Sequence, residues 1–246
     1  MAASVIRAKL DLVIRLYDTT TGATVDERNV LFMRDGVPFR PESRGAGIFV
    51  LINTGREDFL MRIEVQGYER YEISVRYEEL DAVLPACDVF LMPSENSLKG
   101  RNTLSYSGTL PFLKSIEAVK PNAVLCTTTE MNPRTGIISL YHPQGGSIRL
   151  DEPYYGLLSA DKKSYEKIEV EKMITPRSVQ LKTPLRGNFA PNLAIVRIVY
   201  GITHEDGSYL LRVRDAGADA GYLVRYEVGD EERFMEVDMK DQEVLQ

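Results

Sequence analysis

The residues of this 246-residue chain best suited to chemistry are two histidines, two cysteines and a few clustered carboxylates. Histidine titrates near neutral pH and is the usual general base. His142 lies in YHPQGG and His204 in THEDG, turn-like contexts with no nucleophile or acid at a catalytic spacing. Both are therefore expected as solvated turn residues, and a two-histidine metal site has no spacing signature here. Cys87 sits in LPACDVFLMP and Cys126 in AVLCTTT, apolar runs without a CxxC pattern. Buried free thiols are expected, rather than a zinc site or a disulfide framework.

The carboxylates read in the same way. Glu169 and Glu171 alternate along a strand-like run, which places them on one solvated face, and Asp151-Glu152 is a second pair. A glycosidase needs two acids facing each other across a sugar cleft. Glu205-Asp206-Gly207 resembles a piece of a calcium loop but lacks the alternating acids and the terminal glutamate, so a hairpin turn is expected. No helix and lysine follow Gly45-Ala46-Gly47 or Gly145-Gly146, and there is no G-x-S-x-G elbow. The sequence thus predicts no catalytic residues, no metal and no cofactor. Among the 13 tyrosines, and with no tryptophan, Pro153-Tyr154-Tyr155-Gly156 is the one loop-like aromatic cluster. Loops carry function and tyrosine favours interfaces, so Tyr154 and Tyr155 are the expected partner-binding residues.

What must position these residues is a β framework. Hydrophobic content of 43% with 27% charged residues permits real cores and rejects global disorder. The net charge of −6 argues against binding nucleic acid through its phosphates. No apolar run is long enough to span a bilayer. Arg7, Lys9, Asp11 and Arg15 interrupt the first apolar stretch, so no secretory signal is read and a cytoplasmic protein is expected. A chain whose signal had been removed would read the same.

The first segment has a period of two. Ile6, Ala8, Leu10, Leu12, Ile14 and Leu16 face one way and the four charged residues the other, which is a strand with one buried face. Further strands are predicted at 30–34 and 37–39 around the Asp35-Gly36 hairpin, with Pro38 at an edge. Others follow at 48–52, 59–65, 71–77 and 89–92. Asp18, Thr21 and Gly22 in the first turn, Phe49 after the glycine turn, and Gly67-Tyr68 carry a resemblance. Residues 5–93 resemble the prealbumin-like (transthyretin-like) β-sandwich of carboxypeptidase regulatory domains. That resemblance implies a non-catalytic spacer, docking surface or stabilising partner.

The polar run 94–108, SENSLKGRNTLSYSG, reads as a linker. Beyond it, strands are predicted at 123–129, 136–141, 147–150, 168–172, 179–181, 193–200, 208–214, 222–228 and 233–237. Spacings of roughly 8–12 residues with Gly and Pro turns suggest a second sandwich or barrel. The expectation is an all-β chain of two β-sandwich-type domains in tandem: a prealbumin-like domain at 1–93, a linker at 94–108 and a second sandwich or barrel at 109–246. The function expected is non-catalytic: a structural or assembly component bound to other proteins of a multisubunit assembly. By analogy with prealbumin-like modules, that assembly is phage tail-like or a contractile injection machine. The alternatives are a carbohydrate-binding or adhesive surface protein, and an enzyme of unfamiliar type with its site in the C-terminal part.

Overall fold

Strands with turn residues between them leave little room for helix, and the structure, a computed structural model, is almost entirely β. It describes residues 9–25, 29–99, 103–132, 134–143, 145–185, 191–214 and 221–239. Ile6, Arg7 and Ala8 of the first predicted strand lie outside them. The described residues form two compact units. One comprises the chain up to Asp18 with Thr24–Lys99, and the other Thr19–Ala23 with everything from residue 103 onward. No described helix is long and apolar enough to cross a membrane.

In the first unit, β1 (Leu10–Asp18) lies between β5 (Ile48–Ile52) and β8 (Ala86–Leu91), with β4 (Glu42–Gly45) beyond β5. The second sheet runs β3 (Val37–Phe39), β2 (Val30–Arg34), β6 (Phe59–Val65), β7 (Tyr71–Val75). Period-two patterning sends Leu12, Ile14 and Leu16 of β1, and Phe59, Met61, Ile63 and Val65 of β6, into one shared core. Phe32 of one sheet meets Phe49 of the other with ring centroids 4.9 Å apart. Asp35 and Gly36 both have positive φ, 51° and 79°, which a two-residue type I′ hairpin requires. Pro38 stands on the edge strand, where its missing N–H costs no ladder bond. Tyr68 donates a hydrogen bond to Asp18 at 3.1 Å, joining two of the residues that carry the family resemblance.

The span 94–108, expected as linker, is structured at both ends. Residues Glu95–Leu98 make one helical turn, α1, whose Leu98 is buried, and Ser94 N–H bonds the Gly67 carbonyl. Thr103–Thr109 is a seven-residue strand, β9. Its Ser- and Gly-rich composition hides a strand because only Leu104 and Tyr106 supply apolar side chains to a core.

In the second unit, β10 (Leu113–Asn132) pairs with β11 (Ile137–Tyr141), then in order come β14 (Ser178–Leu181), β13 (Tyr165–Thr175), β12 (Tyr154–Leu158) and β15 (Ala194–Thr203). β15 pairs back onto β10, so these six antiparallel strands close a ring. Inside it lie Cys126, Ile138, Tyr155, Leu157, Ile168, Val179, Leu181 and Ile195. Residues 147–150, expected as a strand, form none, yet Ile148 and Leu150 join this core. On the first half of β10 the sheet extends through β17 (Gly221–Val228) to β18 (Glu231–Asp238). On β15 it extends through β16 (Ser208–Arg214) to β9. A separate core gathers Tyr106, Ile116, Ala118, Val199, Leu211 and Val224.

Pro121 marks the passage of β10 between the two cores. Proline cannot donate to a ladder, and the β10–β15 register shifts between Val119 and Val124 around it. The strand predicted at 123–129 is therefore the second half of a longer one. The turn of the β17–β18 hairpin is pinned by Lys114 to Asp230 at 3.0 Å.

Candidate polar site in the second unit

A carboxylate surrounded by apolar neighbours must be met by donors or it destabilises the fold. Glu117 meets this condition. It sits in β10 where four consecutive residues, Ile116 to Val119, are all buried, and it is 4% exposed. Directly across the ladder on β17 stands Arg225, whose Nη1 bonds Glu117 Oε1. From β13, Tyr165 OH reaches the same oxygen at 3.2 Å and Lys167 Nζ reaches Oε2 at 2.9 Å. Arg225 Nη2 also bonds Glu232 of β18 at 2.6 Å, on the diagonal of the hairpin.

Aromatic rings frame this cluster. Lys167 Nζ lies 5.0 Å from the Tyr154 ring centroid and 4.9 Å from that of Tyr200, a cation held between two π faces. Phe234 packs edge-on against Tyr165 at 5.4 Å. Gly156 allows the strands to close here: a Cβ on it would stand 3.0 Å from Val119 and 3.2 Å from Tyr165. Burial, and then the field of Glu117, hold the Tyr165 hydroxyl well above the ordinary tyrosine range. Burial works against the charge on Arg225, but the hydrogen bonds and fields of Glu232 and Glu117 leave it above the ordinary arginine range. Tyr154, Tyr165, Lys167, Arg225, Glu232 and Phe234 line an open groove of about 590 Å³, whose other walls include Ser159, Ser164, Glu169, Thr183 and Pro184.

The residues singled out from sequence fall elsewhere or change role. Tyr154 and Tyr155 are not on a loop: both lie in β12, corrected by the pairing of Tyr154 with Glu169 and Tyr155 with Ile168 on β13. Tyr155 is fully buried in the ring core, whereas Tyr154 is half-buried at the groove. A pair of aromatics between Pro and Gly resembles a loop, but the following Leu157 and Leu158 continue a strand buried on both faces. Glu152 accepts from Tyr155 OH and pairs with Arg197 at 3.2 Å, while its own N–H donates to the Tyr155 oxygen. Burial, then the hydrogen bond to Glu152, raises the Tyr155 hydroxyl far above its usual value.

Glu169 is engaged by Lys182 at 2.9 Å. Asp206 caps its own hairpin by accepting from the Ser208 N–H at 2.8 Å. His204 sits in that exposed turn, and His142 lies half-buried beside Gly146, Ile148 and Arg177. No three His, Cys, Asp or Glu side chains stand together as a metal site among the described residues. Both cysteines are free and buried. Burial pushes the Cys126 thiol to about 12, and burial followed by the field of Asp88 pushes Cys87 to about 11.

Sequence reading missed Glu117, Tyr165, Lys167 and Arg225. A faint signal exists in Ser-Ile-Glu-Ala-Val, one acid inside a run otherwise suited to burial on both faces. The cations that answer it lie 50 and 108 residues away along the chain. No family model matches this chain, and no curated protein is similar to it.

Proposed function

We propose that this protein is a non-catalytic structural component that docks with other proteins in a multisubunit assembly. The observation that carries this reading is that the buried carboxylates of the second unit, Glu117 and Glu152, are engaged by partners within the chain. Glu117 is held by Arg225, Lys167 and Tyr165, and Glu152 by Arg197 and Tyr155. A group poised for catalysis keeps a lone pair or proton turned toward a substrate. These groups instead tie strand to strand, as an assembly module that transmits load requires. The prealbumin-like resemblance of residues 5–93 supports an assembly of the phage tail-like or contractile injection type.

Two histidines are the natural general bases of the chain, and the reading gives them no role. In a complementation assay in the source cell, His142→Ala and His204→Ala together are expected to preserve function. Loss of function in a variant that still folds would overturn the non-catalytic reading.

A second reading has its own observation. The groove beside Tyr154 and Phe234 combines aromatic faces with Ser, Thr, Lys and Glu side chains, a lining suited to carbohydrate. If sugar binds there, a glycan screen finds a ligand and Tyr154→Ala weakens it by about tenfold or more, the loss of one stacking contact. A screen without ligands leaves the assembly reading alone.

A further inference from the structure

Open sheet edges invite pairing with another chain, and proteins guard them with charge or proline. The described sheets end in six edge strands, β3, β4, β7, β8, β9 and β18. Pro38 guards β3, Glu42 and Arg44 guard β4, Glu72 lies in β7, Asp88 in β8, and four charged residues before Asp238 in β18. β9, Thr-Leu-Ser-Tyr-Ser-Gly-Thr, carries neither charge nor proline. Its one strand neighbour among the described residues is β16, paired along all seven positions.

The register fixes which backbone groups face outward. Leu110 N–H bonds the Gly207 carbonyl at 2.9 Å, in step with the Thr109–Ser208 pair. Even-numbered residues of β9 therefore turn their N–H and C=O toward β16. The odd-numbered residues, Thr103, Ser105, Ser107 and Thr109, turn theirs to the open edge. The side chains of Ser105, Ser107 and Thr109 are exposed, while Tyr106 is 3% exposed and Leu104 packs on the same core. Thr103 Oγ1 is buried with no hydrogen-bond partner.

The strand is also nearly the same read in either direction about Tyr106: Thr, Ser, Tyr, Ser, Thr at residues 103, 105, 106, 107 and 109. We propose that β9 is a self-recognition edge at which two copies of this chain pair antiparallel about a two-fold axis at Tyr106. In that register Ser105 stands opposite Ser107 of the partner subunit, and Thr103 opposite Thr109 of the partner subunit. Both pairs fall on the outward-facing residues, so the edge closes with up to about eight backbone hydrogen bonds. The exposed Ser105 and Ser107 of the two copies form a hydroxyl ladder on the solvent face, a favourable cross-strand combination. Leu104 meets Gly108 of the partner subunit on the inner face, which relieves crowding there, and an unpaired Thr103 hydroxyl gains a neighbour. A single strand pair is a small interface, so the dimer is weak, with dissociation at about micromolar concentration or above. It does not depend on the assembly reading, because it needs only this chain.

The test is sedimentation velocity on the purified full chain through a concentration series, with circular dichroism to confirm folding. The wild type is expected to move toward twice its 27.7 kDa mass as concentration rises. Ser105→Lys with Ser107→Lys places like charges opposite each other twice and weakens the dimer by about tenfold. Ser105→Lys with Ser107→Glu places Lys opposite Glu in the same register and restores it at low salt. A wild type that stays monomeric throughout would overturn the proposal. So would a dimer indifferent to the Lys/Lys variant, or one that the Lys/Glu variant fails to restore.

Discussion

Replacing Glu117 by alanine is expected to lower the stability of the second unit by about 3–5 kcal/mol, the usual cost of breaking a buried ion pair. Alanine leaves Arg225 and Lys167 facing a cavity without the carboxylate that neutralised them, and Tyr165 without its acceptor. Arg225 keeps Glu232 and Lys167 is about one-third exposed, so the lower end of that range applies. At roughly 2–4 °C per kcal/mol for a unit of this size, the melting temperature should fall by about 10 °C. Glu117→Gln keeps the shape and loses the charge, and should fall between the two. Urea melts of the three proteins decide the matter. A catalytic carboxylate gives the opposite pattern, since its removal often leaves stability unchanged or raised while activity disappears.

Alkaline pH is expected to unfold this protein earlier than its neutral-pH stability suggests. Cys87 and Cys126 titrate at about 11 and about 12 in the fold against 9.0 for an ordinary thiol, and Tyr155 and Tyr165 are raised above 10.0. In each case the folded state holds its proton more tightly than the unfolded chain does. The stability this confers is complete below the unfolded value and is lost as pH rises through the window to the folded value. The thiols begin to act above pH 9 and the tyrosines above pH 10. Each group removes up to about 1.4 kcal/mol per pH unit inside its window, and the contributions of thiols and tyrosines add above pH 10. Denaturation midpoints measured from pH 7 to 11 should stay level and then drop steeply past pH 9. Cys126→Val should move that drop to higher pH. Midpoints level to pH 11 would contradict the burial of these groups.

Several strands of the first unit were legible because they alternate buried and exposed residues, whereas β4, exposed along its whole length, gave no such pattern. Alternation along Phe59–Val65 and Leu10–Asp18, with Asp35-Gly36 between strands, places these strands from local pattern alone. In the second unit the pattern fails where strands are buried on both faces. Residues 116–119 and Tyr155 to Leu158 have no polar alternation, and β9 has almost no apolar residues. Pro121 conceals the continuity of β10, because a bulge looks like an end when its partner strand is unknown. The polar cluster was invisible for a related reason. Glu117, Lys167 and Arg225 come from three strands, and only the closure of the ring brings β13 beside β10 and β17. Isolated in sequence, Lys167 and Arg225 each read as an ordinary surface charge.

Whether this chain serves within a larger protein assembly is tested most directly by size fractionation of native lysate with detection of this chain. Gentle crosslinking before fractionation holds weak complexes together. The account predicts elution well above the size of a dimer of the 27.7 kDa chain, retained or increased by crosslinking. A dimer alone would support pairing through β9 and contradict the assembly role. Elution at the monomer size, unchanged after crosslinking, would contradict the assembly role.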